Sequence, residues 1–146
     1  MNIASLPFNR LIGMELGATD SEFLISLPTG GQYTNHLGTV HASALFAVAE
    51  AASGVFLIQQ FGSTSTEFLP VVRRVEVKFR RPAQGRVQGR ASMKGDEVEL
   101  WRSELDRRGR VSAAVSIEVV DDTGAVIVSA VVEWFIARNS KNSQSG

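Results

Sequence analysis

The chain has 146 residues, with 15 Lys and Arg balanced by 15 Asp and Glu, so its formal net charge at pH 7 is zero. That balance gives no support for nucleic-acid binding, or for capture of acidic substrates by bulk charge. The absence of cysteine excludes disulfides, thiolate metal ligands and a cysteine nucleophile. The length suits one domain with a real core, assigned to 1–138, followed by a polar tail at 139–146 that is expected to be flexible.

The start, MNIASLPFNRLIG, lacks the basic opening and long apolar run of a signal peptide, which points to a cytoplasmic protein. Leu6 to Ile12 reads as a short helix or turn. Met14, Leu16 and Ala18, then Phe23, Ile25 and Leu27, alternate with polar or small residues around Thr19-Asp20-Ser21, which is a hairpin pattern. Pro28-Thr29-Gly30-Gly31 breaks the chain and begins a loop.

From Ala42 to Ile58 every residue is apolar or small except Glu50. A helix apolar on all sides is expected to be buried, with Gly62 as its stop. The run is somewhat short for a membrane span and carries a carboxylate at its centre, so a membrane role is not expected. Ser63 to Thr66 reads as a polar connector.

Val75, Val77 and Phe79 then alternate with charged residues. After Pro82, so do Val87, Ala91 and Met93 with polar ones. Val111 to Val119 forms a further period-two stripe, Asp121-Asp122-Thr123-Gly124 a hairpin turn, and Ala125 to Ala137 a strand covered on both faces. Asp96 to Arg108 differs: Val98, Trp101 and Leu105 fall at helical spacing, with Asp96 able to cap and Gly109 able to end a helix. An irregular strand is the alternative. The fold class is α+β: one long apolar helix covered by an antiparallel sheet.

A lone carboxylate within an apolar helix is rare unless paired or functional, which singles out Glu50. His41 at the helix start and Asn35 in the preceding loop flank a helix N-terminus, where free N–H groups and the dipole favour negative charge. His41 and Glu50 are nine residues apart, on opposite sides of the helix and about 13 Å apart along it. One helix cannot aim both at one substrate. Two antiparallel copies can, so a joint site requires a symmetric dimer. The bland alternatives are a structural carboxylate for Glu50, an N-cap for His41 and a turn residue for Asn35. His36 and His41 have no third partner for a metal, so no metal and no cofactor are expected.

Three stretches in this order, NHLGTVHASALFAVAEAASG at 35–54, VEVKFRRPAQG at 75–85 and IEVVDDTGAVI at 117–127, make the chain resemble the hotdog-fold acyl-CoA thioesterases. The resemblance is to the phenylacetate-pathway and 4-hydroxybenzoyl-CoA thioesterase type, and to a less characterised branch near them. It runs from Leu11 to Ile136. The family pattern is Asn or Gln, then His-Gly-Gly, then an acid nine residues after the His. Asn35, His41 and Glu50 fall on those positions. The resemblance implies a central helix wrapped by a sheet. It also implies a homodimer with one continuous sheet, which can pair into a homotetramer, and acyl-CoA sites shared between chains.

On that reading Glu50 is the base or nucleophile, Asn35 orients the water or carbonyl, and His41 supports the loop or contacts the thioester. Ala42 offers its N–H to the carbonyl, Ser43 and Gly54 lie along the substrate, and Arg80 and Arg81 meet the phosphates of coenzyme A. Two departures stand out. His-Gly-Gly is His41-Ala42-Ser43 here, and Gly54 replaces a Ser or Thr found in some relatives. They motivate the alternative of a non-catalytic acyl-CoA-binding hotdog dimer. The His-acid motif of hotdog dehydratases is absent.

Overall fold

The computed structural model describes residues 1–62 and 67–140; the connector at 63–66 and the tail from 141 onward lie outside the described residues. The elements are α1 (Pro7–Leu11), β1 (Glu15–Leu16), β2 (Phe23–Leu27), α2 (Ala42–Phe61), β3 (Phe68–Phe79), β4 (Val87–Ala91), α3 (Gly95–Arg108), β5 (Arg110–Val120) and β6 (Val126–Arg138). The strands form one six-stranded sheet in the order β1-β2-β4-β5-β6-β3, and every neighbouring pair is antiparallel.

The period-two stripe explains how the sheet meets the helix. On β5, Val111, Ala113, Val115, Ile117 and Val119 are buried, while Ser112, Ala114, Ser116 and Glu118 face the other side. α2 lies across β2, β4 and β5 on the buried face. Its alanines permit that close approach. Ala49 and Ala52 are fully buried, and a Cβ built on Gly89 of β4 would stand 2.8 Å from the Ala52 Cβ. By length and composition alone α2 could cross a membrane; here Val48, Ala49, Ala52 and Leu57 are packed into the core.

The helix signals at 96–108 hold: α3 buries Val98, Trp101 and Leu105 and ends at Gly109, whose φ of 71° is left-handed. Asp96 is not its cap. The N-cap is Lys94, and Asp96 sits in the first turn, where its charge favours the helix dipole. β3 begins at Phe68, seven residues before the alternation that marks it in the sequence. Pro70 and an irregularity between Val72 and Arg74 obscure the earlier part. A proline is tolerated there because β3 is an edge strand. Asn139, assigned to the tail, donates its N–H to the Glu67 carbonyl at 2.7 Å.

Candidate functional site

The loop entering α2 is pinned residue by residue. The Val40 N–H donates to the Ala83 carbonyl at 3.0 Å, and the His41 N–H to the Tyr33 carbonyl at 2.7 Å. His41 is then the N-cap: its Nδ1 accepts the Ser43 N–H at 2.9 Å. Its carbonyl accepts the N–H groups of Ala44 and Leu45 at 3.0 and 3.1 Å. A helix start presents N–H groups without intrahelical partners. Two of those, on Ser43 and Ala44, are thus taken up by His41, while the Leu45 bond is the first of the regular helical ladder. The N–H of Ala42 has no acceptor among the described residues, and Ala42 is exposed. It is a free donor at the positive end of the helix dipole.

Ser43, Phe46, Ala47 and Glu50 follow one another at helical spacing and share a face. With Ala42, Phe8 of α1 and Phe79 of β3, they line one open depression. This corrects the expectation of a helix buried on all sides. Phe46 is 39% exposed, Phe79 49% and Phe8 62%, and Glu50 is half-buried among them. The Glu50 carboxylate makes no hydrogen bond or ion pair among the described residues. Burial pushes its pKa above the usual 4.5, because an apolar surround disfavours the charged form.

His41 lines the neighbouring depression with Tyr33, Thr34 and Ala44; Phe8, Ser43 and Ala47 belong to both. His41 and Glu50 therefore do not meet within one chain. Nor do the Ala42 N–H and the Glu50 carboxylate act at one point. Eight residues of helix separate them by about 12 Å.

The remaining residues singled out in the sequence lie elsewhere. The Asn35 side chain is occupied by its own loop: its oxygen accepts the N–H groups of Leu37 and Thr39 at 2.9 and 3.1 Å, and its amide donates to Thr39 Oγ1 at 2.9 Å. Gly54 is not beside the depression. It is buried, with Ile3 Cδ1 and the Trp134 ring next to the place of a Cβ. A hydroxyl does stand one position earlier, but it is spent on structure: Ser53 Oγ donates to the Glu50 carbonyl at 2.6 Å and accepts from Trp134 Nε1 at 2.9 Å. Arg80 Nε donates to Ser129 Oγ at 2.7 Å on the sheet face away from α2, and Arg81 is exposed just beyond the strand. Phe8 and Phe79 went unnoticed as site residues in the sequence, where they lie far from Glu50 and resemble ordinary core residues. Among the described residues, no three His, Asp or Glu side chains are placed to hold a metal ion.

A long helix laid on one face of an antiparallel sheet, with strand order 1-2-4-5-6-3, is the hotdog fold. The chain belongs to the DUF4442 family, a domain of unknown function, whose model matches residues 12–136. No curated protein sequence matches it. Among solved structures it is similar to a Pseudomonas aeruginosa protein of unknown function named a probable thioesterase: 22% identity, TM-score 0.79, 94% of this chain and 91% of that one. It is also similar to a Bacillus halodurans protein solved with CoA, at 18% identity and TM-score 0.67 over 90% of this chain and 76% of that one. A thioesterase enzyme of Staphylococcus aureus matches at 17% identity and TM-score 0.65, over 90% and 99% of the two chains. At these identities the likeness is one of fold.

Proposed function

We propose that the chain is an acyl-CoA thioesterase, working as a homodimer whose sites each combine the α2 start of one subunit with Glu50 of the other. The observation that carries this reading is the pair of unpartnered groups on α2, the Ala42 N–H donor and the Glu50 carboxylate. They are chemically matched to acyl transfer and too far apart to serve it within one chain. A second copy supplies the missing half. The open edge of β3, with Leu69 53% and Val71 57% exposed, is the surface on which two sheets join into one.

In this mechanism the Ala42 N–H donates a hydrogen bond to the thioester carbonyl oxygen as negative charge develops there. Glu50 takes a proton from water as the water oxygen bonds to the carbonyl carbon. The tetrahedral intermediate then expels the sulfur; the C–S bond breaks, and the proton held by Glu50 passes to the departing thiolate. Free acid and coenzyme A result. His41 holds the helix start in place, Asn35 shapes the loop before it, and Arg81 offers its charge to the coenzyme A phosphates. The solved relatives named as thioesterases, and the one solved with CoA, support the substrate class.

The test is release of free coenzyme A from short, medium, long-chain and aryl acyl-CoAs, with wild type and Glu50→Ala compared. Turnover that vanishes with Glu50 is expected. Binding without turnover on any thioester would leave an acyl-CoA-binding hotdog protein in place of the enzyme.

A further inference from the structure

The β5–β6 hairpin carries more acceptor groups than a turn requires. Asp121 Oδ1 closes the turn by accepting the Thr123 N–H at 2.9 Å and the Thr123 hydroxyl at 2.6 Å. Its other oxygen, Oδ2, reaches across the structure to accept the N–H of Gln84 at 3.1 Å. The next carboxylate does the same: Asp122 Oδ2 accepts the Arg86 N–H at 3.2 Å and lies where a Cβ on Gly85 would be, 2.1 Å from it. Gly85 has φ of 75°, a left-handed conformation that favours glycine. Two consecutive acids thus grip the β3–β4 loop by its backbone. Asp121 is only 8% exposed, and a buried carboxylate with its hydrogen bonds unmade would be costly.

That loop in turn holds the start of α2. Ala83, next to Gln84, is fully buried, and its carbonyl accepts the Val40 N–H at 3.0 Å. Val40 is two residues before Ala42. A continuous chain of bonds therefore runs from Asp121 through Gln84, Ala83 and Val40 to the free N–H of Ala42. Arg81 is part of the same loop. We infer that Asp121 is a positioning residue that sets the direction of the Ala42 N–H at the α2 N-terminus. As a claim about catalysis, the inference rests on the thioesterase reading above. As a claim about coupling, it does not.

The test compares Asp121→Ala with Thr123→Val. The first removes the acceptors facing both Gln84 and Thr123; the second weakens the hairpin on the side away from Gln84. Amide exchange at Val40 and coenzyme A release are followed in both. Asp121→Ala is expected to speed Val40 exchange about tenfold or more. It should also lower kcat about tenfold with KM within about twofold, since displacing an oxyanion donor costs less than the 10²–10³ of deleting one. Thr123→Val should lower the melting temperature and leave both readouts as in wild type. Unchanged Val40 exchange in Asp121→Ala overturns the coupling, whether or not any thioester is hydrolysed. An equal loss of kcat in both variants reduces Asp121 to a turn residue. Should wild type release no coenzyme A, the enzyme reading fails by itself, and the exchange measurement still decides the coupling.

Discussion

Ala42 and Glu50 border the same depression, yet the free N–H of the one and the free carboxylate of the other are about two helical turns apart. A carbonyl oxygen bonded to the Ala42 N–H would leave its carbon far beyond the reach of a water held by Glu50 of the same chain. On the thioesterase reading proposed above, the site is two half-sites, each with its own testable consequence.

The donor half is tested by Ala42→Pro. Proline at the first helical position removes the N–H without disturbing the helix, because its fixed φ suits that position. His41, at φ −63° and ψ 138°, already has the extended backbone required before proline. The expected result is a kcat lower by about 10²–10³ with a melting temperature close to wild type, measured by steady-state kinetics and thermal melts.

The base half is tested by pH. Burial raises the Glu50 pKa above 4.5, so its protonated form, inactive on the proposed mechanism, persists to higher pH than for a free side chain. The rate should rise with pH as Glu50 ionises, with a midpoint above 4.5. Glu50→Gln should lose at least about a hundredfold in kcat and flatten that limb of the profile, while acyl-CoA affinity is kept. A profile unchanged in shape in Glu50→Gln would assign the ionisation to another group.

Stability at low pH should follow Asp121 instead. Burial by itself would raise its pKa. The hydrogen bonds from the Thr123 hydroxyl and from the Gln84 and Thr123 amides outweigh burial and leave the pKa below the usual 3.8. The folded state thus favours the ionised form. Its contribution is complete above 3.8 and is lost as the pH falls through the lower folded value. Acid titration of wild type and Asp121→Asn should show the two converging in stability at the acid end. A gap that stays constant with pH would contradict this.

Two glycines should respond in opposite directions. A Cβ on Gly54 meets Ile3 Cδ1 at 3.4 Å and Trp134 at 3.7 Å, which is ordinary contact, and alanine is the better helix former by about 1 kcal/mol. Gly54→Ala should raise the melting temperature and leave turnover unchanged, in keeping with a place in the core. Gly89→Ala puts a methyl 2.8 Å from the Ala52 Cβ, so it should destabilise the protein by forcing α2 off the sheet.

The sheet was readable in the chain because its strands carry strict alternation, as in Val111 to Val119, and because Asp121 to Gly124 could hardly be anything but a turn. β3 extends beyond its alternating stretch because its edge position tolerates Pro70 and a register shift, which alternation cannot anticipate. At the site, Glu50 and His41 stood out as the polar exceptions around an apolar helix. What no pattern disclosed was tertiary: Gly54 turned toward Trp134, Phe8 and Phe79 converging on Glu50 from distant segments, and Asp121 holding the loop that holds Val40. The expectation that α2 is buried all round failed on the face bearing Ser43, Phe46 and Glu50, since apolar composition does not say which faces of a helix the rest of its own chain covers.

The shared site is tested most directly by mixing two inactive proteins, Ala42→Pro and Glu50→Gln, under conditions that exchange subunits, and measuring coenzyme A release. If each site takes its donor from one chain and its base from the other, a mixed dimer has one site with both groups intact. Random mixing then restores about a quarter of wild-type turnover. A mixture as inactive as its components, beside an active wild type and confirmed exchange, would place the whole site within a single chain and contradict the account.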